Sequence, residues 1–437
     1  MEILAKNFFP QPIVQICEDL TRPLWKKKRW GSKKKSGFPH KFPLLLLLLP
    51  IIIYLYKYIY LYQERDRAMR FTCEKSMLYA GLNIASRTVA QKSTLSVLEG
   101  ILCRAKNTLE LTGYNMETAI SYEIEADVSD PGECILPARL FADIIRRLPE
   151  GPVTVVVDEG YKVSIRAGYA SFTISAESAE DYPELPDVDE HRTVKIPQNK
   201  LKELIGGTIF AVSENQGRPV HTGVRFEVEE EAISAIAVDG VRLARRTFHP
   251  AEPTGWRLAF VVPSGGLKEV EKILTDTDEE ASFTLGSKHI LFQIGGATLV
   301  CRLLEGEFLD WRRVVPTDCP VKLCAHVSDL ASSIERVGLI VSEKYKSPVR
   351  CVFSNQVLLL KTNTTIGAAE DRCAIAGDGK ELEIGFHGRY LADALKGIPS
   401  EEVILELTNG LSPIVLTPAD DKYDFSYMVL PVRIRNG

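Results

Sequence analysis

Apolar positions along this chain follow two alternating rhythms. Within Pro137–Leu148, the residues Phe141, Ile144, Ile145 and Leu148 fall at i, i+3, i+4 and i+7, one face of an amphipathic helix. The same rhythm returns in Pro263–Leu274 and His387–Ile398, with starts 126 and 124 residues apart. Each is followed by a strand-like run, at Val153–Val157, Ala281–Leu285 and Val403–Leu407. An earlier helical stretch also recurs, starting near Ser76, Lys200 and Asp329. It leads into strand pairs such as those around Leu109–Tyr114, Ile233–Val238 and Val357–Thr362. The chain thus reads helix, strands, helix, strands three times over. A period of about 125 residues is domain-sized, far beyond the roughly 20–50 residues of a solenoid repeat. Pro- and Asp-rich stretches at Tyr182–Glu190 and Pro316–Pro320 read as hinges. The predicted class is α+β, with three tandem domains over 69–190, 191–317 and 318–437 behind an unrelated segment, 1–68.

That first segment changes the picture of charge. Residues 1–68 hold 13 Lys/Arg against 5 Asp/Glu, a balance of +8, while 69–437 hold 40 against 53, a balance of −13. Lys26–Arg29 and Lys33–Lys35 form a basic run, and residues 44–62 are apolar enough and about long enough to cross a bilayer. Pro50, Lys57 and a Tyr-rich second half suit a membrane helix poorly. Runs of Leu, Ile, Tyr and Lys are also what A/T-rich non-coding DNA encodes, and the composition shifts sharply at Met69. The expectation is a natural start at Met69; the alternative is a membrane anchor with a positive cytoplasmic flank. The acidic body repels DNA at long range, so any nucleic-acid contact is confined to a local basic surface.

Catalytic and metal-binding signatures are absent from the sequence. Gly379-Lys380 lacks the rest of a phosphate-binding loop, and Ser412 lacks the closing Gly of a nucleophile elbow. The nine cysteines include no C-x-x-C pair, and Cys319 and Cys324 have no partners for a zinc site, so reduced thiols in a cytosolic protein are expected. The seven histidines are scattered singly. This pattern favours a binding or scaffold protein over an enzyme, without a cofactor or metal. A hydrolase with an unrecognised site is the third reading, behind a membrane-tethered protein-interaction scaffold.

Several runs, in order along the chain, carry a family resemblance. They are Met69-Arg-Phe-Thr-Cys-Glu74, Thr94-Leu-Ser-Val-Leu98, Val238-Asp-Gly-Val-Arg-Leu243, Leu304-Glu-Gly-Glu-Phe-Leu-Asp-Trp-Arg-Arg-Val-Val-Pro316, Leu382-Glu-Ile-Gly-Phe386 and Tyr427-Met-Val-Leu-Pro-Val-Arg-Ile434. Over residues 69–434 the chain resembles the bacterial sliding clamps, the beta subunits of DNA polymerase III. The resemblance implies three DNA-clamp domains per chain and a head-to-tail dimeric ring, with helices lining the lumen and sheets outside. Such a ring encircles duplex DNA without reading its sequence. It tethers the polymerase III alpha subunit, the clamp loader, and other polymerases and repair proteins, in the cytoplasm at the nucleoid. No catalysis is implied, neither polymerase nor 3'–5' exonuclease; the gain is effective concentration at the primer end.

The resemblance also implies roles for particular residues. Lys92 and Arg139 match DNA-contacting positions, and Arg218 matches a DNA-contacting loop. Arg146 and Arg147 join them as lumen cations. Lys202, Lys268, Lys272, Arg336, Lys344, Arg389 and Lys396 are expected on helices and are candidates by position only. A pocket for partner peptides is implied at His221, Val238, Gly240, Arg242, Leu243, Leu309, Arg313, Val314, His387, Tyr390, Leu411, Leu430, Pro431, Val432 and Arg433. Aliphatic walls there take a partner's Leu or Phe, and Arg242 and Arg313 hold its polar or acidic ends. His221 and Leu309 depart from the aliphatic residue and the proline common in the family. Subunit closure is expected between Phe172 and Ile174 of one copy and Leu339 and Ile340 of the other.

Overall fold

The computed structural model describes residues 69–188, 192–341, 347–354, 356–377 and 381–434. The apolar run 44–62, Lys344 and the terminal Arg435–Gly437 lie outside the described residues.

Six α-helices occur among the described residues: α1 (Lys75–Ala85), α2 (Ala138–Arg147), α3 (Gln198–Gly206), α4 (Ser264–Ile273), α5 (Val327–Gly338) and α6 (Gly388–Lys396). They pack in pairs, α1 with α2, α3 with α4, and α5 with α6. In α2, Phe141, Ile144 and Ile145 are buried. Arg146 and Arg147 lie in its last turn, where cations complement the helix dipole. The three helices α2, α4 and α6 each follow directly on a strand, Gly132–Pro137, Leu258–Pro263 and Leu382–Phe386, the last separated only by His387. None of the six has a side-chain N-cap bond. Instead, the leading amides of α1, α3 and α5 donate to distant carbonyls: Lys75 N to Gly151 O at 3.0 Å, Gln198 N to Glu279 O at 2.9 Å and Val327 N to Glu401 O at 2.9 Å.

The strands build three antiparallel sheets of 5, 8 and 12 strands. The two larger sheets are continuous across the repeats. In the eight-stranded sheet, Ala297–Arg302 of the second repeat pairs with Thr118–Ile124 of the first, Leu299 opposite Ile120. In the twelve-stranded sheet, Asp424–Val429 of the third repeat pairs with Arg242–Phe248 of the second, Tyr427 opposite Ala244. Each seam thus joins the last strand of one repeat to the fourth strand of the repeat before it. Two strands keep an open side of this kind: Ala170–Ser175 at the edge of its sheet in the first repeat, and Gly367–Ala376 in the third, which over residues 367–374 pairs, among the described residues, only with Val357–Thr364.

Helix ends reinforce both seams. Arg87, Phe210 and Leu339 stand at equivalent places, nine residues after the buried Leu78, Leu201 and Leu330. Arg87 reaches Glu269 on α4 at 3.7 Å across the first seam. Phe210 packs edge-on against Tyr427 across the second, with ring centroids 5.4 Å apart. Leu339 has no such cover and is 83% exposed. Asp143, Glu269 and Asp393 form a second equivalent set, on α2, α4 and α6. Glu269 meets Arg87, Asp393 meets Arg242 at 2.7 Å, and Asp143, among the described residues, meets only Arg146 and Arg147 of its own helix.

One large core runs through the second and third repeats, and a separate core fills the first. A smaller cluster lies beneath the linker that joins the last two repeats.

Candidate peptide groove, strand edges and cationic positions

The smaller cluster gathers Val220, Ile236, Val238, Leu243, Val261, Phe308, Val415 and Met428, with Leu304, Trp311, Val315 and Leu430 packed against it. It draws on both the second and third repeats; the exposed Leu309, at 37%, and Val314, at 36%, adjoin its Phe308 and Val315 in the chain, and Val432, at 40%, follows Leu430 by two residues. Val238 and Leu243 are themselves buried and form its floor.

A tight turn fixes one end. Gly240 takes φ +97°, a left-handed conformation that glycine adopts without strain. The Asp239 carboxylate accepts from Val241 N at 2.9 Å and Arg242 N at 3.0 Å. The Arg242 guanidinium then spans the seam: Nε donates to Asp239 at 2.8 Å and Nη1 to Asp393 at 2.7 Å. It lies 4.4 Å from the ring centroid of Tyr390, which stacks on His387. The Arg242 charge is thus divided between the Asp239 and Asp393 carboxylates, which hold the guanidinium at the seam. Arg313 remains open, 85% exposed at the side chain, with Asp310 at 3.1 Å.

The chain's end completes the groove. Leu430 N donates to Val241 O at 2.9 Å and Val432 N to Gly385 O at 2.7 Å, tying the tail to both repeats. A side chain at 385 would bring its Cβ within 2.8 Å of the Val432 carbonyl, so glycine permits this approach. Pro431 lies between these ties. Leu411 and Arg433 are exposed and stand outside the cluster.

His221 sits in the short turn Pro219–Thr222, its ring edge-on to Phe308 at 5.3 Å. Its Nε2 is buried without a hydrogen-bond partner. Burial, then the nearby Arg218 charge, lowers its pKa. Sequence reasoning quoted the linker but gave no role to Phe308 or Trp311. The Arg225 guanidinium lies 5.8 Å from the Phe308 centroid, and Arg245 and Arg312 lie 5.0 and 4.5 Å from the Trp311 ring. The signal was present as two aromatic residues in a run rich in arginine.

The candidate DNA cations divide into two groups. Lys92, Arg139, Arg218 and Lys268 are without an ion-pair partner among the described residues. Arg146 and Arg147 share Asp143, Lys202 pairs with Asp276, Lys272 with Glu269, Lys396 with Glu335, Arg389 approaches Asp393 at 4.0 Å, and Arg336 bonds Asp371. Lys92 is not helix-borne but lies in the turn after α1. Of the closure residues, Phe172 is 40% exposed on the free edge strand with Ile174 two places on, and Leu339 and Ile340 directly follow α5.

Among the described residues no three His, Cys, Asp or Glu side chains form a metal cluster, no helix is long and apolar enough to cross a membrane, and the eight cysteines are free thiols. Burial pushes the Cys134, Cys301 and Cys351 thiols up to about 12.

Three tandem repeats of paired helices joined through continuous sheets, with an apolar cluster shared by the second and third, define a DNA-clamp protein. The chain belongs to the DNA polymerase III beta subunit family: its N-terminal, central and C-terminal domain models match residues 69–186, 195–310 and 312–433. The beta sliding clamp of Staphylococcus epidermidis is 31% identical over 376 residues, 84% of this chain and 99% of that protein. The Bacillus subtilis sliding clamp structure gives a TM-score of 0.80 at 29% identity. A Pseudomonas aeruginosa clamp bound to griselimycin gives 0.79 at 30%; both structures are covered fully and cover 84% of this chain.

Proposed function

We propose that this chain closes head to tail with a second copy into a ring around duplex DNA, and holds polymerases there through the groove of the smaller cluster. The observation that carries the reading is the pair of unmatched strand edges. Two seams of one kind are made within the chain, and the two halves of a third are left over. Heterologous contacts that close after two copies give a ring.

The repeat supplies a register for that third seam. Thr72 and Cys324, each two residues before a helix N-cap, pair with Asp127 and Ala376, which aligns Thr118–Asp127 with Gly367–Ala376. Phe172 corresponds to Leu299 and Tyr427, the seam residues of the later repeats. Phe172 then faces the partner subunit's Ala369, and Ile174 the partner subunit's Gly367. Large side chains thus meet small ones. The partner subunit's Leu339 comes to Phe172 as Phe210 comes to Tyr427. Beside this edge, a groove of about 550 Å³ lined by Pro137, Leu140 and Ser175 is open to receive it.

Lys92, Arg139, Arg146 and Arg218 supply phosphate contacts in the lumen, which carry no base readout and allow sliding. Leu309, Val314, Leu430 and Val432 receive the apolar side chains of a partner peptide, as from the polymerase III alpha subunit or the clamp loader, with Arg313 at the polar end. No reaction is catalysed; the ring acts at the nucleoid, in the cytoplasm. The griselimycin-bound relative supports a ligand groove in this family and supplies a competitor for peptide binding to this chain.

The test is topological. The protein, loaded on nicked circular DNA, must be retained through gel filtration and lost when the circle is linearised. Equal retention on both forms overturns enclosure.

A further inference from the structure

The outer wall of the groove belongs to the linker between the second and third repeats, and that linker has little backbone support. From Glu305 to Val315 its main-chain hydrogen bonds stay within it: Arg313 N to Asp310 O, and Val314 N and Val315 N to Trp311 O. Its hold on the second repeat therefore runs through side chains. Asp310 caps the turn Trp311–Arg313 by accepting from Arg312 N. On the strand Gly223–Glu229 beneath, the Glu227 carboxylate is buried, at 9% exposure. It accepts from Arg312 Nη2 at 2.9 Å, from Arg225 Nε at 2.9 Å, and from Trp311 Nε1 at 3.5 Å. The groove-edge residues Leu309 and Val314 flank this turn on either side.

We propose that Glu227 is a positioning residue for peptide capture: by fastening Arg312 and Trp311 it sets where Leu309 and Val314 stand. The inference rests on the groove being the partner-peptide site, and it adds a determinant that does not touch the peptide. A buried carboxylate is normally costly, and burial by itself raises its pKa; Arg312 and Arg225 outweigh that, and the net direction is down. The latch is thus charged and closed at neutral pH. Arg312 and Trp311 are the two linker side chains it grips, one at the end of a half-exposed arm. Loss of the carboxylate leaves Arg225 and Arg312 facing a neutral group and frees the turn to shift.

The experiment uses the full chain and a fluorescein-labelled pentapeptide carrying adjacent Leu and Phe, read by anisotropy. Glu227→Gln is expected to weaken binding about ten-fold, and Arg312→Gln, which removes the same tie from an exposed side chain, by a similar factor. The double variant must lose no more than either single. The decisive measurement combines Glu227→Gln with Leu309→Ala: once the wall is displaced, truncating Leu309 adds no further loss, although the two residues lie apart. Glu227→Gln and Arg312→Gln keep the parent's sedimentation behaviour, which separates a local shift of the linker from loss of fold. Binding by Glu227→Gln within two-fold of the parent, or losses that multiply with Leu309→Ala, overturns the proposal. A parent chain that fails to bind the peptide at all overturns the groove reading itself, a different outcome from an unaffected variant.

Discussion

The ring of Phe210 stands edge-on to Tyr427, centroids 5.4 Å apart and planes at 86°, and so joins the turn after α3 to the last strand of the next repeat. An edge-to-face pair of this kind contributes about 0.5–1.5 kcal/mol beyond the area it buries. The Tyr427 hydroxyl donates to Gly397 O at 3.0 Å, so the ring is held at both ends. The corresponding residues at the open ends of the chain are Leu339 and Phe172, both solvent-exposed.

The first prediction follows from that correspondence. Leu339→Lys with Ile340→Lys places two cations where an apolar contact belongs, and sedimentation at micromolar concentration is expected to show monomers with unchanged secondary structure. Phe172→Lys must do the same from the other side. A dimer in both variants would remove the assigned closure.

DNA affinity should separate the cations by their partners. Arg139 carries no ion pair, whereas Arg146 is 2.7 Å from Asp143. Each phosphate contact contributes about 0.9 to the slope of log K against log salt. Arg139→Ala is expected to reduce the slope by about that amount. Arg146→Ala removes a cation already offset by Asp143, which keeps Arg147 at 3.8 Å, and changes the slope less. Identical slopes for the two variants would contradict the division.

Arg242 should behave as a strut. Its side chain is 11% exposed and serves Asp239 and Asp393 together. Arg242→Ala removes the cation of Asp239 and leaves Asp393 only the longer approach of Arg389 at 4.0 Å; breaking a buried pair costs about 3–5 kcal/mol, and about 2–3 kcal/mol is expected here because Asp393 is partly solvated. Urea unfolding measures it. A loss below about 0.5 kcal/mol, the scale of an ordinary surface substitution, would contradict the strut role.

Most of the fold was legible because helical and strand rhythms recur at a fixed period. Helices begin within one or two residues of the positions expected from Ser76, Lys200 and Asp329. Their capping was not legible. The carbonyls that satisfy Lys75, Gln198 and Val327 come from Gly151, Glu279 and Glu401, more than 70 residues away, so no local Ser, Thr or Asp marks the starts. Of the residues grouped by the family resemblance, Val238, Leu243 and Leu430 come together in one cluster, whereas the commitment of each arginine was not legible. Whether an arginine is free or committed depends on which carboxylate folds against it, as Asp393 does against Arg242. Likewise, nothing adjacent in sequence ties Glu227 to Trp311 and Arg312; the sheet beneath the linker does.

The last prediction concerns His221. Its folded pKa is lowered, by burial first and by Arg218 second. The folded state therefore favours the neutral ring. Its stabilising contribution is intact above the ordinary imidazole value of about 6.5 and is lost as pH falls through the lower folded value. Phe308 packs on the ring, Arg225 lies beyond that phenyl group, and Arg218 is the nearest charge, so no anion in these contacts favours protonation. Peptide affinity is expected to be level from about pH 8 to pH 6.5 and to decline below it. His221→Leu keeps an apolar wall without a titrating group, so the ratio of variant to parent affinity must rise as the pH drops. Taking that ratio cancels the groups common to both proteins. Parallel pH curves for parent and variant would show that the His221 ring does not titrate within the groove.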